Sequence, residues 1–330
     1  MKPLKLLPAV LALVLVLTAC GGGRQEAENE LSICLEWTPN TNHTGLYAAQ
    51  ALGYFEEAGL KVSIIQPPED GASALCAAGQ TEFAITAQDT MAAALARTEP
   101  LKITAVAAIL QHDTSGIITR AGEGMDRPKG LEGHTYSTYN GLIELAMMKQ
   151  VVEADGGDFS RVNLAPYALN DEAGALREGI TDAIWIYYGW GGISAEAAGL
   201  DFDFFYFKDI DPVFDFYTPV IIANNDFLAE HPDTAKAFLS AASRGYAYAM
   251  EHPEEAARLL VEGDSALSGS EELVAASQKW MAEQYQAEAE QWGYIDPARW
   301  NAFYRWLNEN GLVEQPIPEN AGFSNDYLPQ

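Results

Sequence analysis

Ile103-Thr104-Ala105-Val106-Ala107-Ala108-Ile109-Leu110 is apolar at every position but Thr104 and shows no alternation. A run that short and that uniformly apolar fits a strand covered on both faces, as in a sheet flanked by helices. Read back toward the N-terminus from this run, helical and strand patterns take turns. Gln88 to Arg97 reads as helix, Phe83-Ala84-Ile85-Thr86 as strand, Gly71 to Ala78 as helix and Lys61 to Ile65 as strand. Thr44 to Phe55 suits an amphipathic helix broken by Leu52-Gly53, and Ser32-Ile33-Cys34-Leu35 a first strand. Beyond the run, a second unit opens near Ile117-Ile118-Thr119-Arg120. It carries strands at Thr135–Ser137, Val162–Tyr167, Ala183–Tyr187 and Asp201–Phe207, and helices at Leu142–Ala154 and Asp171–Glu178. Thr218 to Ala223 is a returning strand, after which the pattern is mostly helical from His231 to Asn310. This alternation predicts an α/β fold of parallel, doubly wound sheets. Because the chain leaves one unit and returns to it, two lobes joined by crossover strands are expected. The first is formed by 31–117 and 224–330, the second by 118–223, with a ligand cleft at the strand carboxyl ends between them.

At 330 residues the chain has length for about two domains. Its 19 Lys+Arg stand against 47 Asp+Glu, a net charge of −28, which excludes a broad basic surface for nucleic acid. Ordinary hydrophobicity (48%) and 35 aromatic residues argue for a packed core despite that charge. Three cysteines are too few for a disulfide scaffold, and the five histidines lack metal-like spacing.

The first residues read as an address. Lys2 and Lys5 precede the apolar run Leu6–Ala19, too short to span a bilayer, so residues 1–19 are expected to be a signal peptide. Leu17-Thr18-Ala19-Cys20 resembles the bacterial lipoprotein box, which implies lipidation of Cys20 and a membrane anchor. Residues 20–30 then read as a flexible tether. An extracytoplasmic, lipid-anchored monomer is expected, with Cys34 and Cys76 as buried thiols and their pairing outside the cell as the alternative.

Signatures of common enzyme classes are missing: no Gly-x-Ser-x-Gly, His-Glu-x-x-His or phosphate-binding glycine loop occurs. No catalytic residue, cofactor or metal is expected. Two stretches look ligand-facing instead. Trp37-Thr38-Pro39-Asn40-Thr41-Asn42-His43-Thr44 joins the first strand to the first helix; Trp37 offers a flat face, Asn40, Asn42 and His43 offer polar groups, and Thr44 can cap the helix. Against this stands a turn whose asparagines satisfy their own backbone. Ala183-Ile184-Trp185-Ile186-Tyr187-Tyr188-Gly189-Trp190-Gly191-Gly192 runs from strand into a glycine-rich turn. There Tyr187, Tyr188 and Trp190 can form a stacking platform or else pack on a neighbouring helix. Gln88, His112, Ser115 and Tyr139 are weaker candidates at strand or helix ends.

The loop Trp37–Tyr47, Gly53-Tyr54-Phe55-Glu56-Glu57-Ala58-Gly59-Leu60, Gln66-Pro67-Pro68 and Tyr217-Thr218-Pro219-Val220-Ile221-Ile222-Ala223-Asn224 resemble the pyrimidine-precursor-binding branch of bacterial solute-binding proteins. These are relatives of the yeast thiamine-pyrimidine synthase. The resemblance implies a two-lobed periplasmic-binding fold, type II-like, that hands a small heterocyclic ligand to an ABC permease and ATPase. It also implies a Trp and a Tyr from opposite lobes stacking on the ring, with Asn and Glu side chains at its nitrogens. By match, Trp37 and Asn40 serve the first lobe and Tyr187-Tyr188 the second; where the family often has Glu after that strand, this chain has Gly191. The function implied is import of a thiamine pyrimidine precursor of the formylaminopyrimidine or hydroxymethylpyrimidine type, without catalysis. Riboflavin binding, sulfonate or nitrate binding at a helix N-terminus, and a pyrimidine synthase-like activity are the alternatives.

Overall fold

The computed structural model describes residues 29–69, 71–166 and 171–329. The expected signal peptide, Cys20, nearly all of the tether and Tyr167 lie outside them. Among the described residues, no helix is long and apolar enough to cross a membrane.

The first part of the chain runs β1 (Glu30–Cys34), α1 (Thr44–Ala51), α2 (Tyr54–Glu57), β2 (Lys61–Ile65), α3 (Ala72–Ala77), β3 (Phe83–Thr86), α4 (Gln88–Leu95) and β4 (Ile103–Ala108). Next come β5 (Ser115–Arg120), β6 (Thr135–Thr138), α5 (Leu142–Ala154), β7 (Asn163–Pro166), α6 (Glu172–Arg177), β8 (Ala183–Tyr187), α7 (Ile193–Ala197), β9 (Phe202–Tyr206) and α8 (Phe207–Ile210). The chain then returns through β10 (Val220–Asn224) to α9 (Asn225–Glu230), α10 (Pro232–Glu251), α11 (Pro253–Gly263), α12 (Glu271–Met281) and α13 (Pro297–Glu309).

Two five-stranded sheets result, ordered β2-β1-β3-β10-β4 and β7-β6-β8-β5-β9. They are mixed rather than wholly parallel, which corrects the reading from alternation. β10 is antiparallel to β3 and β4, and β5 is antiparallel to β8 and β9. The reason is the crossing itself. A chain arriving from the other lobe enters at the end where the neighbouring strands finish, so Val220 opposes Thr86 and Ser115 opposes Tyr187.

In the first sheet alternate side chains serve opposite cores. Cys34, Ala84 and Ile222 face α3, α4 and α13, whereas Ile33, Phe83 and Ile221 face α1 and α10. Phe83 stacks on Phe238 with ring centroids 4.0 Å apart. Cys34 and Cys76 are both free and buried, and burial pushes their thiols up to about 11 and about 12. They therefore act as small apolar side chains, not as nucleophiles. α1 and α10 cross at glycines: a Cβ on Gly245 would lie 2.0 Å from the Gly45 carbonyl oxygen.

The crossover segments, 109–114 and 215–219, are bound to each other. Ile109 N donates to Pro219 O at 3.0 Å, and Asp113 N donates to Asp215 Oδ1 at 3.0 Å. His112 joins Asp215 Oδ2 through Nδ1 (2.7 Å) and Glu288 Oε2 through Nε2 (2.8 Å). Two carboxylate acceptors call for a proton on each ring nitrogen, and the hydrogen bond to Asp215 raises the imidazole pKa accordingly. Burial alone would raise Asp215, but His112 and Arg299 hold its carboxyl low. Its neighbour Asp113 is fully buried, receives the Ser115 amide and hydroxyl on Oδ1, and leaves Oδ2 without a partner. Burial pushes its carboxyl up to about 7.

Two predictions follow from this packing. Gly245→Ala forces a methyl group against the Gly45 carbonyl and is expected to cost about 1–3 kcal/mol in urea unfolding. Asp113 ionises near 3.8 as a free side chain and near 7 when folded. Between those values the folded chain keeps a proton that the unfolded chain has lost, so this contribution to stability is full below the lower value and disappears as pH climbs through the upper one. Asp113→Asn is therefore expected to gain stability relative to the native chain between pH 5 and pH 8. Thermal melts across that range check the slope.

Candidate functional site

The loop after β1 is organised by one imidazole. Asn40 N donates to His43 Nδ1 at 3.1 Å, which makes Nδ1 the bare nitrogen; Nε2 then carries the proton and donates to Glu36 Oε2 at 2.8 Å. Asn40 Oδ1 accepts from Asn42 N (2.8 Å) and its Nδ2 donates to Thr38 O (3.0 Å), so this side chain caps the short turn Thr41–His43. Tyr246 and Tyr285 hydroxyls reach in from the helical half to the carbonyls of Asn42 (2.7 Å) and Thr41 (2.6 Å). With its backbone satisfied from within, the loop can leave Trp37 56% exposed. Burial opposes charge on Glu36, but the His43 ring and its hydrogen bond hold that carboxyl below the usual range.

The opposite wall comes from β8. Ile184 and Ile186 point into the core of their own lobe, while Trp185 turns to the other side and packs against Phe207 at 4.3 Å. Tyr187 ends that second row and is 41% exposed. Burial of its hydroxyl end, together with Asp89 and Asp113, raises its phenol well above the ordinary value, so it stays neutral. The chain then winds through a single π-turn, Tyr188–Gly192, against α12. A Cβ on Gly189 would meet Met281 Sδ at 2.6 Å, which is why a residue without a side chain stands there. Ser277 links the walls: its hydroxyl donates to Gly189 O and sits 2.6 Å from Thr41 Oγ1, which must therefore donate to it.

Between these walls lies a cavity of ≈ 420 Å³, within the range usual for small-molecule sites. Trp37, Tyr187 and Trp190 supply aromatic surface, Ile85, Leu110 and Met281 aliphatic surface. Hydroxyls of Ser73, Thr86, Thr90, Thr114 and Thr218 and the polar groups of Glu36 and Asn42 complete it. Among the described residues that line it, none is Lys or Arg and Glu36 alone is ionised.

Of the residues singled out from sequence, Trp37, Asn40, Asn42, Tyr187 and Trp190 line this cavity together. Others do not. His43 is fully buried in its loop, and Thr44, instead of capping α1, donates to Thr41 O at 3.1 Å. Gln88 is sealed between Tyr217 N (2.9 Å) and Trp300 O (2.8 Å), bracing a crossover against α13. His112 and Ser115 belong to the crossover network already described. Tyr188 is rotated away by the π-turn; it donates to Glu196 Oε1 at 2.5 Å and packs on Phe204 and Trp280. Tyr139 is 63% exposed, edge-on to Trp185, without lining the cavity. Sequence reading missed Glu36, the threonine hydroxyls and Met281. Only Glu36, next to Trp37, carried a signal that could have been used.

Two lobes, a cleft lined from both and paired crossover segments define the periplasmic solute-binding class of fold. The aliphatic sulphonate binding protein SsuA of Escherichia coli superposes with a TM-score of 0.67 at 14% identity, covering 88% of this chain and 95% of that one. The chain belongs to the NMT1/THI5-like family, which matches residues 40–256. It is 29% identical to the formylaminopyrimidine-binding protein of Halalkalibacterium halodurans, over 98% of this chain and 99% of that protein. It is 28% identical to the 4-amino-5-hydroxymethyl-2-methylpyrimidine phosphate synthase of Schizosaccharomyces pombe, over 64% of this chain and 63% of that enzyme.

Removing the hydroxyl of Ser277 would strand a buried carbonyl and a buried threonine at the junction of the walls. Ser277→Ala is expected to lower unfolding free energy by about 1–3 kcal/mol, measured by urea titration.

Proposed function

We propose that this chain is the extracytoplasmic binding component of an ABC importer and that it carries a flat, uncharged nitrogen heterocycle, a thiamine pyrimidine precursor of the formylaminopyrimidine or hydroxymethylpyrimidine type. One observation carries the reading. An exposed indole from one lobe and an exposed phenol from the other line the same cavity, whose described lining has no cationic side chain. Aromatic faces on both sides of a ring add about 0.5–1.5 kcal/mol per pair beyond area burial. The family match and the formylaminopyrimidine-binding relative support the same ligand class. A sulfonate, nitrate or phosphate ester would face the Glu36 carboxylate with no countercharge among the lining residues, which disfavours the anion-binding alternative. In this reading closure of the lobes over the ring, not turnover, is the working step. The enzymatic alternative rests on the synthase-named relatives and is separated by a turnover assay on the same compounds.

The proposal extends to the remainder of the chain. Residues 1–19 direct export, Cys20 carries lipid, and residues 20–30 tether a monomeric body to the membrane where the permease collects the ligand. Residues 31–117 with 224–330, and 118–223, act as the two jaws. Mass spectrometry of the mature N-terminus tests the anchor.

Calorimetric titration with formylaminopyrimidine, hydroxymethylpyrimidine, thiamine and riboflavin is expected to give binding to the pyrimidines. Silence with all four would remove the reading. Trp37→Ala is expected to weaken the best ligand about tenfold or more while the melting curve stays cooperative, the loss of one aromatic wall.

A further inference from the structure

The turn after β8 is docked on a helix of the other jaw. That helix, α12, is anchored to α10 and α11: Gln278 Nε2 donates to Ala249 O at 3.1 Å, and Val274 is buried with Tyr47 and Leu260. Ser277, Trp280 and Met281 stand at i, i+3 and i+4, so they share one face of it. The π-turn Tyr188–Gly192 lies against that face. Ser277 donates to Gly189 O, the half-buried Trp280 has its ring centroid 5.5 Å from that of Tyr188, and Trp190 packs on the cluster of Tyr47, Leu260 and Val274. Tyr188 is in turn fixed to its own jaw by Glu196 Oε1 at 2.5 Å and by Phe204 at 5.2 Å between centroids.

We propose that α12 is a clasp, in which Trp280 packs against Tyr188 to bias the jaws toward closure and so slows release of the guest. The inference rests on the ring-binding reading above and adds a pair of positioning residues to it. Neither Tyr188 nor Trp280 lines the cavity, so both act on the guest only through the position of the jaws. A contact made in the closed arrangement and absent from the open one shifts that equilibrium by its own free energy. It has to be broken before the guest leaves, and it is not yet made when the guest enters. Its effect therefore falls on dissociation.

The clasp sits beside the pivot. Tyr188 N donates to Thr114 O at 2.9 Å, at the end of the first crossover. Rotation about the crossovers therefore carries Gly189 and Trp190 across the face of α12, while Ser277 stays with Thr41 Oγ1, 2.6 Å away. Gly189 lets the two surfaces approach, since a Cβ there would lie 2.6 Å from Met281 Sδ and 2.9 Å from Trp280 Cζ3. The polar and aromatic parts of the contact lose different amounts on opening. Water can replace the Ser277 hydroxyl at Gly189 O, which leaves little net cost. Nothing replaces the apolar area shared by the Tyr188 and Trp280 rings. The ring pair, more than the hydroxyl, carries the bias.

The test is ligand-exchange kinetics with 4-amino-5-hydroxymethyl-2-methylpyrimidine on the whole chain, native and as Trp280→Ala, Tyr188→Ala, the two combined, and Trp280→Phe. Each Ala variant is expected to raise the dissociation rate about three- to tenfold without slowing association. The combined variant is expected to release the ring at the rate of the faster single variant, within about twofold, because each single change already removes the one contact. Trp280→Phe keeps a ring and is expected to recover most of the native rate. Tyr188→Ala reads the same contact from the other jaw, so a Trp280→Ala chain that fails to fold does not end the test. A native dissociation rate in a folded Ala variant, or effects that multiply in the combined one, overturns the clasp and leaves ring binding in place. If the native chain binds no pyrimidine, the ring reading falls, and small-angle X-ray scattering then decides the clasp alone. Trp280→Ala is expected to have the larger radius of gyration, and equal radii overturn it.

Discussion

The His43 imidazole accepts a hydrogen bond from the Asn40 amide and, for that reason alone, must donate one to Glu36. Much hangs on this assignment. With a proton on both nitrogens, the Asn40 amide would face an N–H and the turn that starts there would lose its closure. With the proton moved to Nδ1, the partially buried Glu36 carboxylate would lose its short bond from His43 and face a bare ring nitrogen. The neutral tautomer is the arrangement that satisfies both ends. It is also what holds the segment between β1 and α1 in a shape that points Trp37 outward while Leu35, Pro39 and Asn40 are buried.

The second wall is held by different means. β8 delivers its side chains by strand alternation, and the π-turn that follows is pressed onto α12 through glycine. The hydroxyl of Ser277 then spans from Thr41 to Gly189, so the two walls share a hydrogen-bonded contact outside the crossovers. The crossovers, for their part, are tied through Asp215, which receives His112, the Asp113 amide and the charge of Arg299. A cavity whose described lining carries a single charge, that of Glu36, is thus framed by charged groups that are spent on the frame.

Most of the architecture could be read from the chain because it depends on local pattern. The apolar run 103–110, the glycine stops and the strand–helix alternation placed the strands of both lobes and helices α3 to α6 within a residue or two, but ran α1 and α2 together, left out α7, α8 and α9, and read α10 to α13 as one undivided stretch. Strand direction was not accessible in the same way. β5 and β10 look like any other buried strand, and only the path of the chain between lobes makes them antiparallel. The site was legible in the same uneven manner. Trp37 and Tyr187 stand out because large aromatics next to polar turns have no obvious core to enter. Tyr188 was misjudged because strand geometry was carried one residue too far, into a π-turn that swings its ring toward Glu196. Gln88, His112 and Ser115 sit at element ends as a ligand-binding residue would, but such ends also face the crossovers: backbone groups of Tyr217 and Trp300 claim Gln88, and carboxylates claim the other two, Asp215 and Glu288 for His112 and Asp113 for Ser115.

Where α1 and α10 meet, peptide lies against peptide, with Gly45 and Gly245 at the point of contact. A joint where main chain meets main chain, closed by the Ala49 methyl and the Tyr246 ring, has few rotamers to sample. The base from which the Trp37 loop springs is accordingly stiff, and drift in the sequence of either helix has little leverage over where that indole is aimed. A change of cargo in a descendant of this chain would have to come from substitutions on the loop itself, or from the facing jaw, because the mounting cannot be adjusted by degrees.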